Sequence, residues 1–494
     1  MKTQARGTES GRTRTALAVL ATLVVALSAS GCANLSADGG MLSVQAAANA
    51  ELGSDVVKIR NEHDASVVRA RVKALLAKPL TASSAVQIAL LNNRGLQAAY
   101  SELGISEAQM VEASLPPSPT IVLSRLIGSG GYEIERQVVL NVLTLLTLPQ
   151  RREIAEARFK QAQVRAVETT LRTAADARRT YYRAVSSKQS LKFLEEARES
   201  AEAVSDLAKK LGETGAMSKL DQAREHVFYA ELSAQLAGAR LRQRIDRERL
   251  TRTLGLWGGD LNFRLSDKLP PLPARPMAIS AVESDAVRKR VDLAIAQMEI
   301  DILARQLGLT KRTRFINVLE VGGMSMAEKD VKQDGGSVEI EKIKRRGVEV
   351  EFQIPIYDFG EARVRLAEET YMRAVNQLLE RAVNVRADAR EAYQTYRGAY
   401  DIAKHYEREV LPLRQTIAEE MLLNYNAMIK DVFSLLADVR ARILANVQAI
   451  DAYRDFWLAT VDLQTAIIGG RGGGGEAAEA PRPATAGAAE PAGH

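Results

Sequence analysis

Two stretches of this chain are too long and too regularly helical to belong to a compact domain. They run from about Pro149 to Leu211 and from about Gly360 to Leu423. Sixty residues of helix extend roughly 90 Å at about 1.5 Å per residue, far beyond the width of a small domain. In the first stretch Leu194, Ala197, Ala201, Val204, Ala208 and Leu211 alternate spacings of three and four. That is the narrow seam along which helices pair as coiled coils. Pro412, with no N–H to donate, predicts a kink in the second stretch.

The long helices are parts of a duplication. Ala85-Val86 opens a helical segment reaching Arg94-Gly95-Leu96-Gln97-Ala98-Ala99, and Ala281-Val282 opens another reaching Arg290-Val291-Asp292-Leu293-Ala294. Each leads into a β-branched, apolar stretch, then a long helix, a punctuated break and a return helix. The copies span 80–260 and 280–468, with breaks at about 212–221 and 424–431. Pro270-Pro271-Leu272-Pro273 lies in the linker 261–279, where proline blocks both helix and ladder. The segment 32–79 is mixed, with a helix expected near Ala65–Leu76, and 469–494 is a Gly/Ala/Pro tail expected to be disordered.

Four strands are predicted, at about 119–127, 134–148, 314–325 and 347–357. The last decides the class. Val348, Val350, Phe352, Ile354 and Ile356 alternate with Glu349, Glu351 and Gln353, a period of two that suits a transmembrane barrel strand with lipid outside and water inside. On that pattern Glu320, Glu349, Glu351 and Gln353 line the lumen. The polar connection Ala327–Arg346 is expected to be an outward loop. The same alternation also suits a half-buried strand pair in a soluble protein. If the strands do cross a membrane, four cannot close a barrel, and an open edge in lipid leaves unpaired backbone groups at several kcal/mol each. The chain must then oligomerise.

The N-terminus favours the membrane. Lys2, Arg6, Arg12 and Arg14 precede an apolar run, Ala16–Ser28, and then Ala29-Ser30-Gly31-Cys32. This is the layout of a bacterial signal peptide over 1–31, its apolar run too short to span a bilayer. Ala-Ser-Gly-Cys resembles the lipobox of bacterial lipoproteins, with Cys32 the acylated (palmitate-bearing) residue; ordinary cleavage with a spare thiol is the alternative. Ala33 stands where aspartate would, by analogy, hold a lipoprotein at the inner membrane. Residues 1–31 carry four basic residues and one acidic, so removing them takes the formal charge from +6 to +3 and removes the case for nucleic acid. Cys32 is the only cysteine and the four histidines are scattered, which excludes an intramolecular disulfide and spaced metal motifs. No cofactor is expected.

Four pieces in order on this duplicated plan resemble the TolC family of outer-membrane efflux and secretion ducts, over Leu80–Ile468. They are Leu115-Pro116-Pro117-Ser118-Pro119 before the first strand; Gly215-Ala216-Met217-Ser218-Lys219-Leu220-Asp221; Ile354-Pro355-Ile356-Tyr357-Asp358-Phe359-Gly360, with Pro355 and Gly360 at the strand–helix junction; and Tyr425-Asn426-Ala427-Met428-Ile429-Lys430. The resemblance implies a mainly α fold with a small transmembrane β part. Long coiled-coil hairpins would form an α-barrel, and four strands per chain a 12-stranded β-barrel shared in a homotrimer. It implies a passive duct in the outer membrane of a Gram-negative bacterium, anchored in outer-membrane lipid. A periplasmic adaptor (membrane fusion protein) and an inner-membrane pump, RND-type or similar, would recruit it to export small molecules or metal ions. Type I protein secretion is the other use of the family.

By the same resemblance the helix breaks are periplasmic tips, where Gly212, Gly215, Ser218, Ala427 and Met428 would meet the adaptor. Asp221, Tyr425 and Lys430 would latch the mouth, each contact worth about a kcal/mol. Two positions depart from the family pattern. Met428 replaces a usual glycine. Ser434 and Ala437 stand where the best-known member carries an acidic constriction ring, with Asp431 and Asp438 nearby, so cation block at such a ring is not implied. An enzyme finds no phosphate loop, metal spacing or nucleophile motif here. A non-barrel coiled-coil lipoprotein acting as adaptor or scaffold is the alternative, and it explains the alternation and duplication poorly.

Overall fold

The computed structural model describes residues 35–128, 131–215, 217–278, 281–334, 337–427, 429–430 and 432–469. Cys32 with the signal segment 1–31, Met428, Asp431 and residues 470–494 lie outside the described residues.

Two helices, α1 (Met41–Leu52) and α2 (Glu62–Leu76), precede the first copy. That copy consists of α3 (Ala82–Asn92), α4 (Arg94–Ser114), β1 (Thr120–Gly128), β2 (Gly131–Asn141), α5 (Val142–Glu213) and α6 (Lys219–Leu254). The second consists of α7 (Val282–Lys289), α8 (Val291–Arg312), β3 (Val318–Asp334), β4 (Ser337–Gln353), α9 (Glu361–His405), α10 (Leu411–Asn426) and α11 (Val432–Ile468). Local chemistry sets the boundaries. Thr81 and Ser84 form a reciprocal capping box on α3, satisfying donors that the first turn would leave orphaned. Asn93 ends α3 and caps α4 through the Leu96 N–H.

The fold is mainly helical with one small sheet. α5 alone runs 72 residues, about 108 Å at about 1.5 Å per residue. It starts earlier than the sequence pattern suggests: Val142–Leu148, expected to be strand, is the first part of the helix. Asn141 accepts the Thr144 N–H at 2.8 Å and caps it there, so β2 ends at Asn141. Pro149 then sits inside the helix. Between α9 and α10 the chain makes a π turn, Tyr406–Val410, just before Pro412. A wider turn removes the clash between a proline ring and the carbonyl four residues back.

The four strands form one antiparallel sheet in the order β1-β2-β3-β4. β2 pairs with β3 from Gly131↔Asp330 to Asn141↔Glu320 and so joins the hairpins of the two copies. β3 and β4 are 17 residues each, which corrects the expected outward loop at Ala327–Arg346. That stretch is ladder, with Ala327 opposite Lys344 and Ser325 opposite Arg346. Strand pairing uses backbone groups, so charged side chains do not stop it when they project from the faces. The expected strands 314–325 and 347–357 likewise shift, to Val318–Asp334 and Ser337–Gln353. Residues 354–357 leave the ladder because Pro355 has no N–H for it.

Burial is spread along the molecule. Near the middle, Met41, Val44 and Ala48 of α1, Val86, Leu90 and Leu91 of α3, and Phe263 and Leu265 of the linker pack with Ala174, Ala177 and Val185 of α5. A second cluster joins Ala286 of α7, Tyr396 and Tyr400 of α9, and Phe456 and Leu463 of α11. Farther along α5, Leu194, Ala197 and Ala201 meet Leu232, Leu236 and Ala239 of α6. Small residues in that seam let two long helices run side by side.

Candidate functional site

The sheet has two chemically different faces. Cross-strand register places Ile121, Val138, Gly323 and Val348 in one row, and Leu140, Val321 and Val350 in a row of the same face. Val348 is 78% exposed and Phe352 62%. In a single chain these apolar side chains have nothing to cover them, which suits lipid or a partner and not water.

The other face carries Glu349, Glu320 and Glu351. Gln137 donates its side-chain amide to Glu349, and Asn141 Nδ2 donates to Glu320 Oε1 at 3.1 Å. Glu320 lies directly opposite Glu351, an arrangement that costs energy between like charges and that the Asn141 bond partly offsets. Gln353 lies opposite Val318. The longer ladder adds Glu328, Asp330 and Glu341, which the expected loop concealed, and they share this face with Glu133 and Glu135. The strand ladder recorded here leaves the outer edges of β1 and β4 unpaired among the described residues.

The turn from β4 into α9 is tightly specified. Gly360 has φ 75°, a left-handed conformation that side chains resist. A Cβ there would also sit 2.3 Å from the Arg314 carbonyl oxygen. Asp358 accepts the Gly360 and Ala362 N–H groups at 2.9 and 3.2 Å. Those bonds hold its carboxyl below the usual carboxylate range. Phe359 N–H donates to the Pro355 carbonyl at 2.7 Å. Pro355 and Gly360 therefore share one compact reversal.

At the opposite end the first hairpin turns at Gly215, φ 74°. Ser218 caps α6, and its hydroxyl donates to Asp221 Oδ2 at 2.6 Å, while Arg224 pairs with Asp221 at 3.2 Å. Asp221 is thus engaged within its own hairpin. A Cβ on Gly212 would fall on the Gln222 side-chain amide. On the second hairpin Ala427 ends α10, Lys430 is exposed and Tyr425 is half-buried. No Asp221 contact to Tyr425 or Lys430 occurs within the chain among the described residues.

Three charged ties escaped the sequence pattern. Arg290 is buried between α7 and α8, 2.7 Å from Asp292 and 3.4 Å from Asp388 of α9. Burial works against its charge, but the Asp292 and Asp388 carboxylates outweigh this and raise its pKa. Glu225 of α6 and Arg440 of α11 pair at 3.2 Å near the tips, and Glu225 Oε2 and Arg440 Nε have no hydrogen-bond partner. Asp438, one of the acids near the departed ring positions, is buried and pairs with Arg414 at 3.6 Å. No spacing rule could find Arg290–Asp388, Glu225–Arg440 or Arg414–Asp438, since each joins separate helices.

No helix of the described residues is long and apolar enough to cross a membrane. No cluster of metal-binding side chains occurs among them.

Long paired helices carrying one four-stranded sheet are an arrangement found among solved outer-membrane channels. No protein-family model matches the sequence, and no curated protein matches it. Among solved structures, the chain is similar to the Campylobacter jejuni CmeC outer membrane channel, with TM-score 0.64 and 17% identity over 79% of this chain and 86% of that one. It is similar to the outer membrane protein VceC of Vibrio cholerae, with TM-score 0.62 and 12% identity over 81% and 97%. It is also similar to the open state of the Neisseria gonorrhoeae MtrE outer membrane channel, with TM-score 0.60 and 14% identity over 78% and 88%. At these identities the likeness is one of fold.

Proposed function

We propose that this chain is the outer-membrane channel of a tripartite exporter: a homotrimeric, passive duct and not an enzyme. The observation that carries this is the sheet itself, with one apolar exposed face, one carboxylate-rich face and two unpaired edges. Three copies pairing β1 of one with β4 of the next would remove all edges and give a barrel with lipid outside and water inside. The helices would continue the duct into the periplasm. A non-barrel adaptor offers no use for such a sheet.

On this proposal Cys32 carries the lipid anchor. Gly212, Gly215, Ser218, Ala427 and Met428 meet a periplasmic adaptor, which couples the duct to an inner-membrane pump. Asp221, Tyr425 and Lys430 act between neighbouring copies to narrow the mouth, with contacts weak enough for an adaptor to displace. Small molecules or metal ions are the expected cargo, chosen by the pump.

Purification in mild detergent tests it. The protein should migrate as a heat-modifiable trimer and give discrete conductance steps in planar bilayers. Monomeric migration with no conductance would favour the adaptor.

A further inference from the structure

The face that carries the apolar band changes character toward the hairpin turns. Following the register from the Val348 row, Arg136 and Arg346 stand in the next outward row, beside Leu123 and Ser325. Arg125 and Lys344 stand in the row beyond, with Ile134 and Ala327. Lys329 and Lys342 follow, with Ile127 and Tyr132. All six charges on this face are positive. At the same height the opposite face holds Glu133, Glu135, Glu328, Asp330 and Glu341 with one cation, Arg345, 3.9 Å from Glu328.

Charge is therefore sorted by face, although opposite signs follow one another along a single strand in Glu328-Lys329-Asp330. A sheet in water would gain by mixing signs within each row. Here no outward cation makes an ion pair among the described residues; Arg125 lies 5.9 Å over the Tyr132 ring, itself an outward residue. Height matters too. Ile354 to Arg346 covers about 27 Å of strand at about 3.4 Å per residue, or about 20 Å along the membrane normal at a tilt near 40°. The Arg125 and Lys344 row, about 26 Å up, thus stands at the end of an apolar band about 25 Å tall, and the long side chains of Arg136 and Arg346 one row below reach toward it, on the side remote from the helices.

We propose that Arg125, Arg136, Lys329, Lys342, Lys344 and Arg346 form an external basic girdle that binds the phosphorylated sugar headgroups of outer-leaflet glycolipid. Arginine matches phosphate with paired N–H donors and lysine supplies compact charge, and anionic lipid draws such clusters to a membrane surface. The girdle rests on the channel proposal, which fixes this face as the outer one.

The test uses the purified trimer with purified lipopolysaccharide as probe, and phosphatidylcholine vesicles and inorganic phosphate as comparisons. Wild type should bind lipopolysaccharide in a salt-sensitive manner and phosphatidylcholine at least tenfold more weakly. A variant with R136Q, K329Q, K342Q, K344Q and R346Q should lose at least tenfold in lipopolysaccharide affinity while keeping trimer migration and conductance. R345Q, which alters the inward face, should bind lipopolysaccharide like wild type. If the fivefold variant fails to assemble, K342Q with K344Q alone should still lose severalfold. A conducting wild-type trimer whose girdle variants bind lipopolysaccharide unchanged overturns the girdle alone, as does complete displacement of the lipid by millimolar inorganic phosphate. A wild type that neither trimerises nor conducts overturns the channel proposal and the girdle with it.

Discussion

Tyr182 of α5 stacks on Trp457 of α11, ring centres 5.3 Å apart and planes 24° from parallel. This contact joins the first copy of the duplication to the last helix of the second. Around it Tyr181 meets Tyr182 edge-on, and Phe456 meets Trp457, Tyr396 and Tyr400. The same aromatics hold the linker: Trp457 Nε1 donates to the Pro270 carbonyl at 3.0 Å, and Tyr400 donates to those of Pro273 and Ala274 at 3.1 Å. A proline-rich segment offers few donors of its own, so its carbonyls are satisfied from the helices.

Trp457→Ala should lower stability by about 2–3 kcal/mol, below the loss for a fully buried aromatic because Trp457 is half-buried. Trp457→Phe keeps part of the packing and loses the indole donor, at about 1–3 kcal/mol. Thermal unfolding followed by circular dichroism in detergent separates the two, and a Trp457→Phe variant as stable as wild type would argue against the linker hydrogen bond.

Gly360→Ala should all but abolish assembled trimer, because both the φ of 75° and the Arg314 carbonyl stand against a Cβ. Local strain of this kind costs about 1–3 kcal/mol before any clash. Gly215 has the same φ region but open space around it. Gly215→Val should therefore leave trimers intact and impair export, measured as growth on a pump substrate. Unchanged export would count against the tip assignment.

Arg290→Met should cost about 3–5 kcal/mol, since it removes a cation only 6% exposed from between the Asp292 and Asp388 carboxylates. Adding Asp292→Asn and Asp388→Asn to that variant should restore much of the loss. Chemical denaturation of the three proteins gives the comparison.

Glu168 titrates above the ordinary glutamate value, through burial first and then the nearby Asp292 charge. A raised carboxyl favours the folded state at low pH, and that contribution is lost as pH rises through the folded pKa. Glu168→Gln should therefore raise Tm at pH 7, with the gain shrinking toward about pH 4. A gain independent of pH would place the cause elsewhere.

Tyr425→Ala together with Lys430→Ala should increase open-channel time in planar bilayers if these residues close the mouth between copies. No change in gating would remove them from the latch. Asp221→Asn alone should have a smaller effect, because Ser218 and Arg224 already hold that carboxylate.

What the chain could announce by itself was local and periodic. The three-and-four spacing through Leu194, Ala197 and Ala201 depends only on helical geometry, and the Val348–Phe352 alternation only on the pleat. Gly215 and Gly360 mark reversals because a missing Cβ is legible in one letter. The rest required residues far apart to meet. Lys342, Lys344 and Arg346 look like loop in a hydropathy pattern, yet backbone pairing to Lys329, Ala327 and Ser325 makes them ladder. Arg290 pairs with Asp292 two positions on, and its second carboxylate comes from Asp388, 98 positions away. Val142–Leu148 has strand-like composition, and Asn141, capping the next turn, makes it helix. Periodicity decided which elements exist; pairing across distance decided where they end and which of their charges face each other.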